Sequence, residues 1–196
     1  MAVRGARRDQ IEPLGHRAIP RALVLVLIGV GLYNSLVRAR VRADEAWSGI
    51  STQLKRRHDL IPNLVETVKG YATHERETFE KVTEARAEAM KAQGPAQSSA
   101  AEGKLSAVLG DLRAVAENYP ELRATENFQQ LSRNLSELED EIQASRRIYN
   151  SNVQAYNTKI QVFPNSFIAN SRGFQPKEFF EIEDAADREP VKVSFN

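Results

Sequence analysis

Residues 47–74 read WSGISTQLKRRHDLIPNLVETVKGYATH and decide the fold. Trp47, Ile50, Leu54, Ile61, Leu64, Val68 and Tyr71 recur in steps of three and four, the stripe of a helix that packs against other helices. The register survives Pro62, so either a kinked helix or a helix-turn-helix sharing one seam fits the pattern. Arg57 occupies the slot between Leu54 and Ile61 that continues the apolar stripe. A cation in that slot is expected to be partly buried and paired with a carboxylate.

The composition around this stretch limits what the chain can be. At 196 residues there is room for one domain plus an anchor, and 41% hydrophobic residues can support a core. Twenty-seven Lys and Arg against 26 Asp and Glu leave a net charge of +1, which points to no nucleic-acid partner. With no cysteine, disulfides, thiolate nucleophiles and Cys-based zinc sites are excluded together.

Upstream, residues 1–21 carry five arginines without an apolar period and read as a flexible basic tail. Residues 22–37 begin ALVLVLIGVGL and contain no charge. This run spans about 24 Å as a helix, against ~30 Å of hydrocarbon, and the flanking Arg21 and Arg38 can snorkel. It reads as a single uncleaved membrane anchor. The rival is a cleaved signal peptide, but Arg38 within Val37-Arg38-Ala39 makes a poor cleavage site. The positive-inside rule tilts only slightly towards an N-terminus inside and a bundle outside. Arg38, Arg40 and Arg42 then lie at the lipid surface. Lys55, Arg56 and Arg57 stand about 27 Å further out, several Debye lengths away, so that second cluster needs a protein explanation.

Downstream, the helix is expected to continue from Pro62 to Lys91. A break follows at Gln93 to Ser98, where Ser98 or Ser99 can cap what comes next. A shorter helix is expected over Ala100 to Glu117, ending near Tyr119-Pro120. The last, over Glu121 to Val162, has Phe128, Leu131, Leu135, Leu138, Ile142, Tyr149 and Tyr156 on one seam, interrupted by Ser145 and Asn152. A buried Asn152 would fix register, and Tyr149-Asn150 and Tyr156-Asn157 stand one heptad apart. The fold class is therefore all-α: an elongated up-and-down four-helix bundle with coiled-coil-like seams over residues 38–162, preceded by one N-terminal transmembrane helix. Whether Pro62 and Pro120 kink or reverse the chain is left open.

Residues 163–196 lose the helical period and hold six of the eight phenylalanines. Phe167, Phe174, Phe179 and Phe180 are expected to fold back onto the bundle. The sharper alternative makes Phe174, Phe179 and Phe180 a docking patch for another protein. Val191 to Phe195 alternates like an edge strand.

Catalytic signatures are missing. His16, His58 and His74 stand apart, and no phosphate loop, nucleophile elbow or zinc-protease helix occurs. His58-Asp59 could be a relay pair, yet helix neighbours point apart. No cofactor or metal is implied, and a non-enzymatic protein is expected.

Several runs together resemble the LemA family of bacterial membrane proteins. They are Tyr33 to Val37, Ala46-Trp47-Ser48, Gln53 to Glu75, Ala114 to Ala124, the paired Tyr-Asn steps, Phe163-Pro164 and Gly173 to Glu181. The resemblance implies an anchored helical bundle in the bacterial inner membrane and defines no catalytic residue. It also implies a scaffold or adaptor linked to membrane organisation, as in the similar MamQ proteins, or to membrane protein quality control. Its partners would be lipid and other membrane proteins, a membrane protease or a second copy among them. Lys55, Arg56, Arg57, Asp59, Pro62 and Asn63 are the place to look for that contact. A ligand-responsive sensor, with its site in the seam, is the alternative.

Overall fold

The computed structural model describes residues 21–181; His16, nearly all of the basic N-terminal segment and the alternating Val191 to Phe195 lie outside them. The elements in chain order are α1 (Arg21–Lys69), α2 (Arg76–Lys91), α3 (Gly94–Glu117), α4 (Pro120–Arg123), α5 (Glu126–Gln161) and α6 (Asn165–Ser171), and no strand occurs among the described residues. The architecture is all-α.

The 49 residues of α1 form one helix about 73 Å long, and Pro62 lies inside it without reversing the chain. Its first part is an apolar window long enough to cross a membrane, of which 6% is buried, unlike the core helix of a soluble protein. The remainder pairs antiparallel with α5. Ala43, Ile50 and Leu54 of α1 meet Ile142, Tyr149 and Val153 of α5. Leu36 meets Tyr156 and Ile160, closing the end nearest the apolar run.

At the far end this pair becomes a four-helix bundle. Ile61, Val65 and Val68 pack with Phe79 and Val82 of α2, Leu105 and Leu112 of α3, and Leu131 and Leu135 of α5. Burying each such side chain contributes about 1.5–3 kcal/mol, which is where the distal bundle gets its stability.

Several boundaries differ from the sequence expectation. The reversal falls at residues 70–75 rather than at Pro62, and the helix does not run through to Lys91. Gly70 is a poor helix former, and turning there lays Phe79 and Val82 on Val65 and Val68. Tyr71 is consequently exposed, and Ala72 takes the buried place instead. Gly94 adopts φ 74°, a left-handed turn that lets α3 start at once with Pro95 in its first turn. Ser98 and Ser99 are therefore buried inside α3 and cap nothing. Pro120 opens the single turn α4 and delays α5 to Glu126, where the Thr125 hydroxyl accepts from the Phe128 N–H at 3.4 Å.

Candidate functional site

The six signature residues part into two sets. Lys55, Arg56, Asp59, Pro62 and Asn63 are all exposed, and at 100° per residue they fall on a single outer stripe of α1. Arg56 reaches only Gln53, at 3.4 Å, and neither Lys55 nor Asp59 has an ion-pair partner among the described residues. Arg57 points the other way and is 5% exposed.

Arg57 joins three helices. Its Nη1 lies 3.3 Å from Glu102 Oε2 of α3 and 3.2 Å from Glu139 Oε2 of α5, while Nη2 donates to Ser106 Oγ at 2.9 Å. The buried His58 ring donates from Nε2 to the other oxygen of Glu102 at 2.6 Å. Glu102, with 1% exposure, thus accepts from both residues, satisfying a carboxylate that would otherwise be costly to bury. Removing one partner from such a buried set costs about 3–5 kcal/mol because the other charge is left behind.

Pro62 belongs to the same node for a backbone reason. A proline has no N–H, so the carbonyl four residues back, that of His58, loses its helical donor. Arg86 of α2 supplies the substitute, its Nε donating to His58 O at 2.7 Å. The segment Arg57 to Pro62 therefore contacts α2, α3 and α5 at one level. Beside it lies a cavity of about 240 Å³ between α1, α3 and α5, with Arg57, Ser106 and Glu139 at its polar end and Leu64, Leu112 and Phe128 at its apolar end. No group of three or more metal-ligating side chains occurs among the described residues.

The tail forms a second constellation. After α6, residues 173–181 run extended and antiparallel to α5, held by its Tyr-Asn steps. Asn157 donates to Lys177 O at 2.9 Å and accepts from Lys177 N at 2.8 Å. Asn150 does the same with Phe180, at 3.0 Å each way. Seven residues of helix rise about 10.5 Å and three residues of extended chain span about 10 Å, so the two amides match the spacing of their targets. Tyr149 Oη donates to Glu178 O at 2.7 Å and Tyr156 Oη to Gln175 O at 2.8 Å. Burial, aided by the Asp44 and Glu178 carboxylates, pushes the Tyr149 hydroxyl up to about 12. Tyr156 is raised too, by burial first, with Arg40 opposing. Ser99 of α3 donates to Glu181 O, so the tail ties the α1–α5 pair to α3.

This clamp fixes the phenylalanines. Phe180 is fully buried with its ring 5.7 Å from that of Trp47, and Phe174 is buried with its ring 5.9 Å from that of Tyr33. Phe179 is half-buried against the same core. Phe174 and Phe180 are therefore turned inward and offer no docking patch on this surface, because the tail's backbone is pinned to α5. Phe167, expected to fold back with them, is 75% exposed.

Sequence reasoning missed Glu102, Arg86 and the role of Asn150 and Asn157. Glu102 sits one step before Leu105 on the apolar face of α3, the same signal of a charge in a stripe that singled out Arg57. The heptad spacing of the Tyr-Asn steps was visible, but Asn152, taken to fix register, is only half-buried, and its neighbours at 150 and 157 carry the bonds. His58 pairs with Glu102 rather than with the exposed Asp59.

Residues 46–195 match the LemA family. Two magnetosome proteins, MamQ 1 and MamQ 2 of Paramagnetospirillum magneticum, are each 26% identical over 181 residues, covering 79% of this chain and 66% of theirs. Protein LemA of Metamycoplasma hominis is 29% identical over 147 residues, covering 74% of this chain and 67% of its own. The chain thus spans about two thirds of the length of these relatives.

Proposed function

Because this chain belongs to the LemA family, we propose that it is a non-enzymatic adaptor, anchored in the membrane by α1 and presenting the outer stripe of that helix to another membrane protein. The observation that carries the proposal is the continuity of α1, whose 49 residues join the apolar run to the exposed Lys55, Arg56, Asp59, Pro62 and Asn63 without a hinge. A rod of this kind sets the height of the stripe above the bilayer. The stripe is not spent on the fold: its charges point to solvent, while Arg57 and His58 behind it hold α3 and α5. Membrane organisation or membrane protein quality control is the setting this arrangement suits, and the MamQ relatives are named as magnetosome proteins. The slight excess of arginine before the span favours the bundle on the outer side.

Photoreactive residues at Arg56 and Asn63 in the full-length protein in cells test this reading. The proposal expects reproducible capture of one membrane protein, a protease or a second copy included. Absence of any captured protein at both positions overturns it.

The cavity beside Arg57 favours one second reading, a sensor whose bundle responds to a small polar molecule. Its volume of about 240 Å³ lies below the ~300–1,000 Å³ of most ligand sites. Gly110 lines this cavity, and a Cβ built there meets nothing within 4 Å. Gly110→Leu, which fills the space, leaves capture at Arg56 unchanged for the adaptor and abolishes the response of the sensor.

A further inference from the structure

The apolar run of α1 is not the only part of the molecule at its level. The short helix α6 packs beside it: Ala169 is buried in one cluster with Leu36, and Ile168 and Val37 both pack against that cluster. A groove lined by Val26, Val30 and Tyr33 of α1 and by Ile168 and Arg172 follows that contact downwards. Arg172 lies 6.0 Å above the Tyr33 ring, and Tyr33 itself meets Phe174. A bilayer that covers residues 22–37 therefore reaches α6.

The surface of α6 suits that position. Phe163 is 85% and Phe167 75% exposed, and Val162 beside them is also exposed. Phe167 stands on the side of α6 turned away from Ala169, Val162 and Phe163 stand in the turn before it, and all three are left uncovered among the described residues. Polar Asn170, Ser171 and Arg172 at the end of the same helix would be costly in hydrocarbon but suit the headgroup layer. A Tyr ring under an Arg, with an exposed Phe on the same short helix, is the composition of a membrane–water boundary, where amphipathic rings and snorkelling cations collect.

We propose that α6 and the turn before it are a second membrane contact, with Phe163 and Phe167 in the lipid interface and Arg172 among the phosphates. The occupant is lipid rather than protein because α6, which carries Phe167, packs against the anchor and lies at its depth. A single span is free to rotate about its own axis. A second contact on one side of it stops that rotation and fixes which way the outer stripe of α1 faces along the membrane.

The proposal rests on the anchor reading of α1, and one experiment separates the two. The chain has no cysteine, so single substitutions give unique labelling sites. Full-length Phe163→Cys, Phe167→Cys, Leu27→Cys and Asn63→Cys variants, each carrying nitrobenzoxadiazole, are reconstituted in phosphatidylcholine–phosphatidylglycerol vesicles with spin-labelled lipid. Labels at residues 163 and 167 are expected to be blue-shifted and quenched more by spin labels near the headgroup than by those near the chain end. The label at residue 27 shows the reverse order, and that at residue 63 is not quenched. Quenching at residue 27 with none at 163 and 167 overturns the second contact and leaves the anchor standing, as does a blue shift at 167 without lipid quenching, which indicates a protein partner. Absence of quenching at residue 27 as well overturns both.

Discussion

The bond from Arg86 to the His58 carbonyl exists because Pro62 cannot make it, and this has a measurable consequence. In the native chain, Arg86→Met keeps the aliphatic stem and removes a charged donor from a half-buried carbonyl. Hydrogen bonds to charged groups contribute about 1.5–3 kcal/mol, and the partial exposure of Arg86 puts the expected loss at the lower end, about 1–2 kcal/mol. In a Pro62→Ala background the amide of residue 62 donates to the same carbonyl, so Arg86→Met should then cost under ~0.5 kcal/mol. The coupling energy of the double-mutant cycle is the difference, about 1 kcal/mol. Pro62→Ala alone should stabilise the protein, since a proline within a helix costs up to about 3 kcal/mol relative to alanine, offset by the ~0.4–1 kcal/mol that proline contributes by restricting the unfolded chain. Guanidinium unfolding of the four full-length proteins in detergent, followed by far-ultraviolet circular dichroism, gives the cycle. Equal costs of Arg86→Met in both backgrounds would refute the claim that Arg86 substitutes for the missing N–H.

Other consequences concern the clamp and the node. Asn150→Ala or Asn157→Ala strips both partners from a tail residue, which should cost about 1–3 kcal/mol each and speed amide exchange at Phe180 or Lys177; unchanged exchange contradicts the clamp. The Tyr149 hydroxyl ionises about pH 10 when unfolded and near 12 when folded, so its stabilisation is complete below pH 10 and is lost between pH 10 and about 12. Trp47 emission should shift to the red over that window as Phe180 leaves, and Tyr149→Phe should abolish the shift. Glu102→Ala, which leaves Arg57 and His58 buried without their shared acceptor, should cost about 3–5 kcal/mol by thermal unfolding, whereas a cost near zero would mean the node is solvated. Gly110→Ala inside α3 should raise stability by about 0.8–1 kcal/mol, since the new methyl meets nothing, and a loss would indicate packing absent from this structure.

Most of the long-range order was legible because it is periodic. The stripe from Ile50 to Val68 and the seam from Leu131 to Tyr156 predicted two long helices with packing faces, and the structure pairs those faces as α1 and α5. Arg57 was legible as buried because a charge interrupting a stripe must find a counter-charge. The reversal at Gly70 was not, because the apolar steps carry on to Tyr71 and only tertiary packing of α2 decides against it. The tail was the least legible. Its order comes from side-chain amides of α5 bonding an extended backbone, and such bonds leave no pattern in the tail's own residues. The asparagines that make them look like ordinary polar positions until their seven-residue spacing is set against three residues of extended chain.

The account depends most on α1 being one rigid connection between bilayer and outer stripe. Spin labels at Arg38→Cys and Asn63→Cys in reconstituted full-length protein measure it by electron–electron double resonance. Twenty-five residues of uninterrupted helix predict a single narrow distribution centred about 38 Å between the backbone sites. A broad distribution, or one centred well below that distance, would show that the chain bends at Pro62 or between anchor and bundle, and would contradict the rod.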